Sequence, residues 1–397
     1  MLHLAARLNR FSESQTIGMA KLGRELAAKG HDVINLSFGE PDFQTPQHIK
    51  DAAKAAIDEG FTFYTPVAGY PELKQAISAK FKRDNNLDFA PDQVVVSVGA
   101  KHSIMNVVLC TINPGDECII PTPYWVSYSA MIQLAEGVPV HVHSTVESGF
   151  KITPEQLEAA ITPKTSLFIF SSPSNPTGTL YTKEELAGLA AVFERHPSIY
   201  IISDEIYEYI NFVGKHESIA QFESIRDRVI VVNGVSKGFA MTGWRIGYIG
   251  ASKEIAQGCE KIQGQFTSGA VSIAQRAAIA AISGDIKPTF DMRDAYLRRR
   301  DLVLGLMDDL PGFKTYIPGG AFYVFPDVSW YFGKTDGTNT INNAEDLCMY
   351  ILNNGFVSLV PGEAFGNPNC IRFSYAAADE KLVEALGRIK EVLEKLR

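Results

Sequence analysis

From residue 93 onward, short apolar runs alternate with longer amphipathic stretches. The runs occupy 94–98, 117–120, 138–143, 166–170 and 199–203 and are rich in Val, Ile and Phe. Mostly apolar runs of this length predict strands covered on both faces. Helical patterns fill the gaps, at 100–111, 124–134, 154–161 and 182–194. Strand and helix in alternation predict an α/β fold with a doubly wound, mostly parallel sheet. Two further runs, 229–232 and 246–250, extend it. Ahead of this core the pattern predicts a helix over 17–28 capped by Ser14 or Thr16, and a short strand over 32–37. A helix over 46–59 follows, with Thr45 as its cap before Pro46, and then one opened by Tyr70-Pro71 and running to 85. Beyond 286 the rhythm changes. A long helix over 287–310, strands at 322–325 and 371–374, and helices over 344–353 and 379–396 predict a smaller α+β domain. Arg298-Arg-Arg-Asp301 reads as a solvated face of the long helix. The expected division is an N-terminal arm, 1–15, a large domain, 46–285, and a small domain made of 16–45 and 286–397.

Composition narrows the function. The 397 residues suffice for two sizeable cores, and 46% hydrophobic with 21% charged residues is ordinary for a globular protein. A net charge of −8 argues against nucleic acid or an anionic membrane as partner. The five cysteines are scattered with no Cys-x-x-Cys pair, so neither a disulfide framework nor a zinc site is expected. The N-terminus lacks the apolar core of a signal peptide, and no apolar run approaches the roughly 18–20 residues of a membrane span. A cytoplasmic location is expected, and no metal.

Candidate chemistry gathers where the predicted strands end, the place where open α/β sheets bind ligands. The strand at 94–98 runs into Gly99-Ala100-Lys101 at a helix N-terminus, a natural anion site. The strand at 166–170 ends in a Pro- and Gly-rich loop that holds Asn175. The strand at 199–203 ends at Asp204, whose buried carboxylate calls for a cationic partner. The strand at 229–232 leads to Ser236-Lys237, with Arg245 beyond. Taken alone, residues 234–245 are either a surface hairpin with two solvated cations or a cofactor anchor. Together the strand ends offer an imine-forming lysine, a carboxylate, an amide donor and a phosphate cup. That set matches the demands of pyridoxal phosphate.

Motifs across the chain then carry a resemblance. They include Gly39-Glu-Pro-Asp-Phe, Gly69-Tyr-Pro-Glu-Leu, Pro123-Tyr-Trp-Val-Ser-Tyr, Ser174-Asn-Pro-Thr-Gly, Ser203-Asp-Glu-Ile-Tyr, Ser236-Lys-Gly-Phe-Ala-Met-Thr-Gly-Trp-Arg and Ile371-Arg-Phe-Ser-Tyr. In this order they resemble the class I aminotransferases of the fold-type-I pyridoxal-phosphate enzymes, and most of all the prokaryotic aspartate aminotransferases. The resemblance implies that Lys237 binds the cofactor covalently and shuttles a proton. Asp204 would hold the ring nitrogen protonated, Tyr207 and Asn175 the ring oxygen, and Trp125 would stack on the ring; a core position is the other reading of Trp125. Ala100, Lys101, Ser236 and Arg245 would hold the phosphate, and Tyr64 would reach the phosphate of the neighbouring subunit in a homodimer with shared sites. For substrates, it implies that Arg372 and the Gly39 N–H bind the α-carboxylate. Lys101, with Ser14 and Thr16, would then meet a distal carboxylate.

The expected reaction is transamination of L-aspartate with 2-oxoglutarate by a ping-pong mechanism. Prephenate, aromatic amino acids or alanine as substrates are the alternatives, as is a pyridoxal-phosphate C–S lyase. A cofactor-binding regulator is disfavoured, since no spare residues precede the fold for a fused DNA-binding domain. A nicotinamide enzyme is disfavoured because no Gly-x-Gly-x-x-Gly follows a strand. One departure stands out. Phe266 and Gly269-Ala270 occupy a stretch where the family often has a Ser and a Pro.

Overall fold

The computed structural model describes residues 4–11 and 15–397. Two elements lead in, β1 (Ile34–Asn35) and α1 (Gln15–Ala28), followed by α2 (Gln47–Asp58) and α3 (Pro71–Lys80). Strands and helices then alternate: β2 (Val94–Ser97), α4 (Ala100–Thr111), β3 (Glu117–Thr122), α5 (Ser127–Leu134), β4 (Val138–His143), α6 (Pro154–Ala160), β5 (Thr165–Ser171), α7 (Lys183–Arg195) and β6 (Tyr200–Asp204). Next come β7 (Val229–Gly234), β8 (Gly247–Gly250), α8 (Lys253–Phe266) and α9 (Ser272–Ser283). Among the described residues, β2 to β8 form one sheet in the order β2-β8-β7-β6-β5-β3-β4. The pairs among β3 to β7 are parallel, and β8 runs antiparallel to both β2 and β7.

Strand periodicity sorts the side chains onto two faces. Val94, Val96, Phe168, Phe170, Ile201, Val229 and Val231 pack into one buried cluster. Their neighbours Val95, Leu167, Ile169, Ile202, Ile230 and Val232 pack into another. Each such side chain, removed from water, contributes about 1.5–3 kcal/mol. Burial on both faces is why these runs read as nearly continuous apolar stretches rather than as an alternation.

The C-terminal part contains α10 (Lys287–Met307), β9 (Tyr323–Val324), α11 (Ala344–Gly355), β10 (Val357–Ser358), β11 (Val360–Pro361), β12 (Ile371–Ser374) and α12 (Asp379–Leu393). Strands β11, β12 and β9 form a small antiparallel sheet, while β1 pairs in parallel with β10. A third cluster joins Met19, Ile34 and Leu36 to residues of α10, α11 and α12, and takes in Ile206, Tyr207 and Ile210 from beyond β6. No described helix is long and apolar enough to cross a membrane.

Three local expectations change. The strand expected over 32–37 is only two residues long, because its partner β10 offers only two. Thr45 does not cap α2: its hydroxyl donates to the Ala240 carbonyl at 2.6 Å and accepts from the Trp244 indole at 3.0 Å. Arg298-Arg-Arg-Asp301 is not a uniformly solvated face. One residue of helix turns the side chain by about 100°, so Arg298 is exposed while Arg299 is buried. The Arg299 guanidinium grips both Asp42 oxygens at 2.8 and 3.0 Å and Asp379 at 3.2 Å. Arg300 donates to the Pro318 carbonyl at 2.9 Å.

Candidate active site

A cavity of about 420 Å³ opens at the carboxyl ends of the sheet strands. Lys237, Asp204, Tyr207, Asn175, Trp125, Ala100, Lys101, Ser236, Arg245, Gly39, Arg372 and Thr16 all line it. Residues 234–245 are therefore no surface hairpin. Two sequence-based candidates stand apart. Tyr64 is 97% exposed and outside the cavity of its own chain, and Ser14 lies outside the described residues.

The anion end forms where β2 turns into α4. Gly99 holds φ +83°, and a Cβ there would stand 2.2 Å from the Arg245 guanidinium. A Cβ on Gly247 of β8 would stand 2.1 Å from the Ala100 nitrogen. Two glycines thus let a guanidinium and a neighbouring strand crowd onto the free N–H groups of a helix start. Arg245 is itself left-handed, φ +57°, and donates to the Thr242 carbonyl at 2.9 Å. Lys101 stands one residue into the helix, its amine 5.0 Å from the Trp125 ring. Burial and the Arg245 charge pull its pKa down.

At the floor, Asp204 is 5% exposed. Among the described residues it forms no ion pair with a lysine or arginine, although the Lys237 charge lies near enough to act on it. One oxygen accepts from the Tyr128 hydroxyl at 2.7 Å and the other from the Ile206 N–H at 3.3 Å. Burial pushes its pKa up to about 6, against the Tyr128 hydrogen bond. A carboxylate stranded this way is poised to receive a cationic N–H. Lys237 follows β7, and its amine donates to the Gly39 carbonyl. Burial lowers its pKa to about 8, which favours the nucleophilic neutral form. The Tyr207 and Tyr323 hydroxyls bond each other at 2.8 Å.

Arg372 enters from β12 and is 2% exposed. It donates to the Asn175 side-chain oxygen at 2.9 Å and to the Ser37 carbonyl at 2.6 Å, so the Asn175 NH₂ is turned away from it. Its Nε, buried, has no hydrogen-bond partner. Among the described residues no carboxylate pairs with it. Tyr323 and Phe365 rings lie 4.7 and 4.9 Å from the guanidinium. Burial pulls its pKa down. A desolvated guanidinium with an idle donor is a receptor for a carboxylate.

Sequence reasoning missed several wall residues. Tyr128 closes the quoted Pro-Tyr-Trp-Val-Ser-Tyr motif, and nothing in its spacing pointed to Asp204. Arg24 lies on the stripe Thr16, Ala20, Arg24 of α1, which forms one wall. Following that four-residue step from Thr16 would have found it. Ser37, the last residue of the short strand expected over 32–37, had no signal of its own. Among the described residues the cavity wall carries five cationic side chains, Arg24, Lys101, Lys237, Arg245 and Arg372, against the carboxylate of Asp204 alone. That balance suits a ligand with several negative charges. The set fits pyridoxal phosphate in particular: a helix start with Ser236 and Arg245 for a phosphate, an unpaired carboxylate for a ring N–H, and an amine of lowered pKa for an aldehyde.

Comparison with known proteins agrees with this chemistry. The family model described as aminotransferase class I and II matches residues 31–389. The aspartate/prephenate aminotransferase of Cereibacter sphaeroides is 50% identical over 393 residues, 98% of each chain. The aspartate aminotransferase of Bacillus subtilis is 44% identical over 396 residues, 99% of this chain and 100% of that one. The crystal structure of the aspartate aminotransferase from Rhizobium meliloti superposes with a TM-score of 0.97 at 40% identity, covering 100% of both chains.

Proposed function

The chain belongs to the class I and II aminotransferases, and from that premise we propose that it transfers the amino group of L-aspartate to 2-oxoglutarate. The products are oxaloacetate and L-glutamate, formed in two half-reactions of a ping-pong cycle. One observation carries the choice of a dicarboxylic substrate. The cavity has a buried guanidinium, Arg372, without a carboxylate partner, and a second cation, Lys101, on another wall.

The enzyme is pyridoxal-phosphate-dependent. When bound, the cofactor supplies an aldehyde that amines condense with and a protonated ring that takes up the electron pair released at the substrate Cα. We assign the rest to residues of this chain. The Ala100 and Lys101 N–H groups, Ser236 and Arg245 would hold the phosphate. Asp204 would keep a proton on the ring nitrogen, and Tyr128 would keep Asp204 aimed. Tyr207 and the Asn175 NH₂ would donate to the ring oxygen, and Trp125 would cover the ring face. Lys237 would anchor the cofactor and, once freed, move a proton from the substrate Cα. Arg372 and Gly39 would bind the α-carboxylate, and Lys101 with Thr16 the distal one. The two parts of the chain that supply the site, 46–285 and 16–45 with 286–397, would act as separate domains that close on substrate.

Half-reactions of the purified enzyme with a panel of amino acids test this reading. Aspartate and glutamate are expected to convert the bound cofactor fastest. Alanine or phenylalanine outrunning them would sink it. Prephenate as a further acceptor is a second reading, favoured by the cationic wall that a second carboxylate would meet.

A homodimer with shared sites is also proposed. Phe63, Tyr64, Phe266 and Val271 are 83%, 97%, 70% and 60% exposed. Their segments lie side by side, with Thr65 donating to the Ala270 carbonyl at 3.3 Å. A Cβ on Gly269 would stand 2.0 Å from the Thr65 hydroxyl, which accounts for glycine there. An apolar patch of this kind suits a second copy, with Tyr64 reaching its site. A monomer in sedimentation at assay concentration would contradict this. The free state of all five cysteines supports a cytoplasmic location, to be checked by cell fractionation.

A further inference from the structure

Asp204 and Tyr207 stand on one tight turn, 204–208, at the end of β6. Both face the cavity. The two acids between and after them, Glu205 and Glu208, do not line it and are 1% and 5% exposed. Glu205 accepts from the Ser203 hydroxyl at 2.8 Å and the Ser218 hydroxyl at 2.6 Å, and meets the His216 imidazole at 2.8 Å. Glu208 is paired with the ammonium of Lys80, a side chain with no exposure, and accepts from the Asn85 amide at 3.0 Å. The Asn85 oxygen in turn accepts from Lys80 at 2.8 Å. The ligating atoms of Glu205, Glu208 and His216 lie within 4.8 Å of one another. Lys80 already supplies a cation at this cluster.

Two carboxylates face one ammonium and one imidazole. Burial pulls the His216 pKa down, but the charge and hydrogen bond of Glu205 outweigh it and raise the pKa overall. Such a buried ionic set adds little stability over well-packed apolar groups of similar volume. It is directional, however. Glu208 holds Lys80 by an ion pair at one oxygen and Asn85 by a hydrogen bond at the other, and both Glu205 oxygens have partners, so neither side chain can turn without leaving a buried charge unpaired; of this set, His216 Nδ1 has no hydrogen-bond partner. Lys80 and Asn85 come from α3 and the turn after it, more than a hundred residues away in sequence.

We propose that Lys80, Asn85, Glu205, Glu208 and His216 form a buried clamp that fixes the 204–208 turn, so that Asp204 and Tyr207 keep their places against the cofactor ring. These are positioning residues: none touches the cavity, and their link to it is the backbone of the turn. That backbone is tied as well, by Glu205 N–H to the Val232 carbonyl at 2.8 Å and Glu208 N–H to the Glu205 carbonyl at 2.9 Å.

The inference rests on the cofactor reading above. Its test is the full-length double variant Lys80→Met/Glu208→Leu, which replaces the ion pair by apolar groups; it leaves the buried Asn85 amide without these two partners and is expected to fold but to melt below wild type in the cofactor-free form. Equilibrium dialysis of pyridoxal phosphate should give a dissociation constant raised roughly 10- to 100-fold, the effect of a small displacement of fixed groups. The pH midpoint of the bound cofactor's visible band should move by about half a unit or more. KM for aspartate should stay unchanged. If the double variant does not fold, His216→Gln/Ser218→Ala loosens the Glu205 side and is read the same way. A folded variant with wild-type dissociation constant and midpoint would reduce the clamp to a purely structural feature. Wild-type protein that takes up no cofactor would instead overturn the functional reading, and the clamp with it.

Discussion

At the floor of the cavity, Asp204, Tyr207 and Arg372 are 5%, 3% and 2% exposed, and each is hydrogen-bonded to a residue far away in sequence. At the mouth, Arg24, Lys101 and Arg245 are exposed, and neither Arg24 nor Lys101 is paired with a carboxylate among the described residues. The floor is buried between the large sheet and the C-terminal strands. The mouth is bounded by α1 and the start of α4. This difference separates reaction class from substrate choice. In the proposed assignment, chemistry that must work at one geometry sits where packing fixes the groups, whereas discrimination among carboxylates would fall to Lys101 and Arg24, long flexible cations that water partly screens.

The largest break in that contrast is at the floor. Lys237→Ala is expected to lower kcat by roughly 10⁴, the upper range for a lost proton-transfer group, and to abolish the cofactor's visible band. Retained turnover would move the chemistry elsewhere. The same amine sets a pH dependence. Its pKa of about 8 means that the neutral form grows as pH rises and saturates above 8. Cofactor uptake by cofactor-free protein, followed by absorbance, should therefore speed up about tenfold per pH unit below 8 and level off above it. A rate independent of pH between 6 and about 8 would exclude this lysine as the capturing group.

The mouth should give smaller, graded and substrate-dependent effects. Lys101→Ala is expected to cost about 10-fold or more in kcat/KM for aspartate and glutamate, the worth of a charge-assisted hydrogen bond. Alanine should be nearly unaffected. Arg24→Ala, on the exposed stripe of α1, should cost only about 2- to 5-fold, with the loss shrinking as salt is added. Equal losses for alanine and aspartate in both variants would erase the distinction between floor and mouth.

Much of the fold was legible because burial leaves a periodic trace. Every strand of the large sheet was found within a few residues, since both faces are covered and the runs are apolar throughout. The short strand β1 was overextended, because its length is set by β10, more than three hundred residues away. Thr45 leaves its expected cap position, and Arg299 its expected solvated face, for the same reason. Each has its partner on a distant segment, Ala240 and Trp244 in one case, Asp42 and Asp379 in the other.

The candidate site divides likewise. Lys237, Asp204, Asn175 and the Gly99-Ala100-Lys101 turn were legible because strand ends of a parallel sheet meet on one edge. A chain that encodes such strands also encodes where their ends converge. The sequence by itself determined the sheet, the edge and the residue types gathered there, which suffices for the cofactor and the class of reaction. Tertiary packing alone settled that Tyr128 holds Asp204, that Arg372 keeps an idle donor, that Arg24 joins the wall and that Lys80 and Glu208 back the 204–208 turn. Local periodicity reports which face of an element is buried, but not which distant polar group lies against it. Those pairings arise from the packing of whole elements, and hydrogen bonds between them leave no regular spacing in the chain.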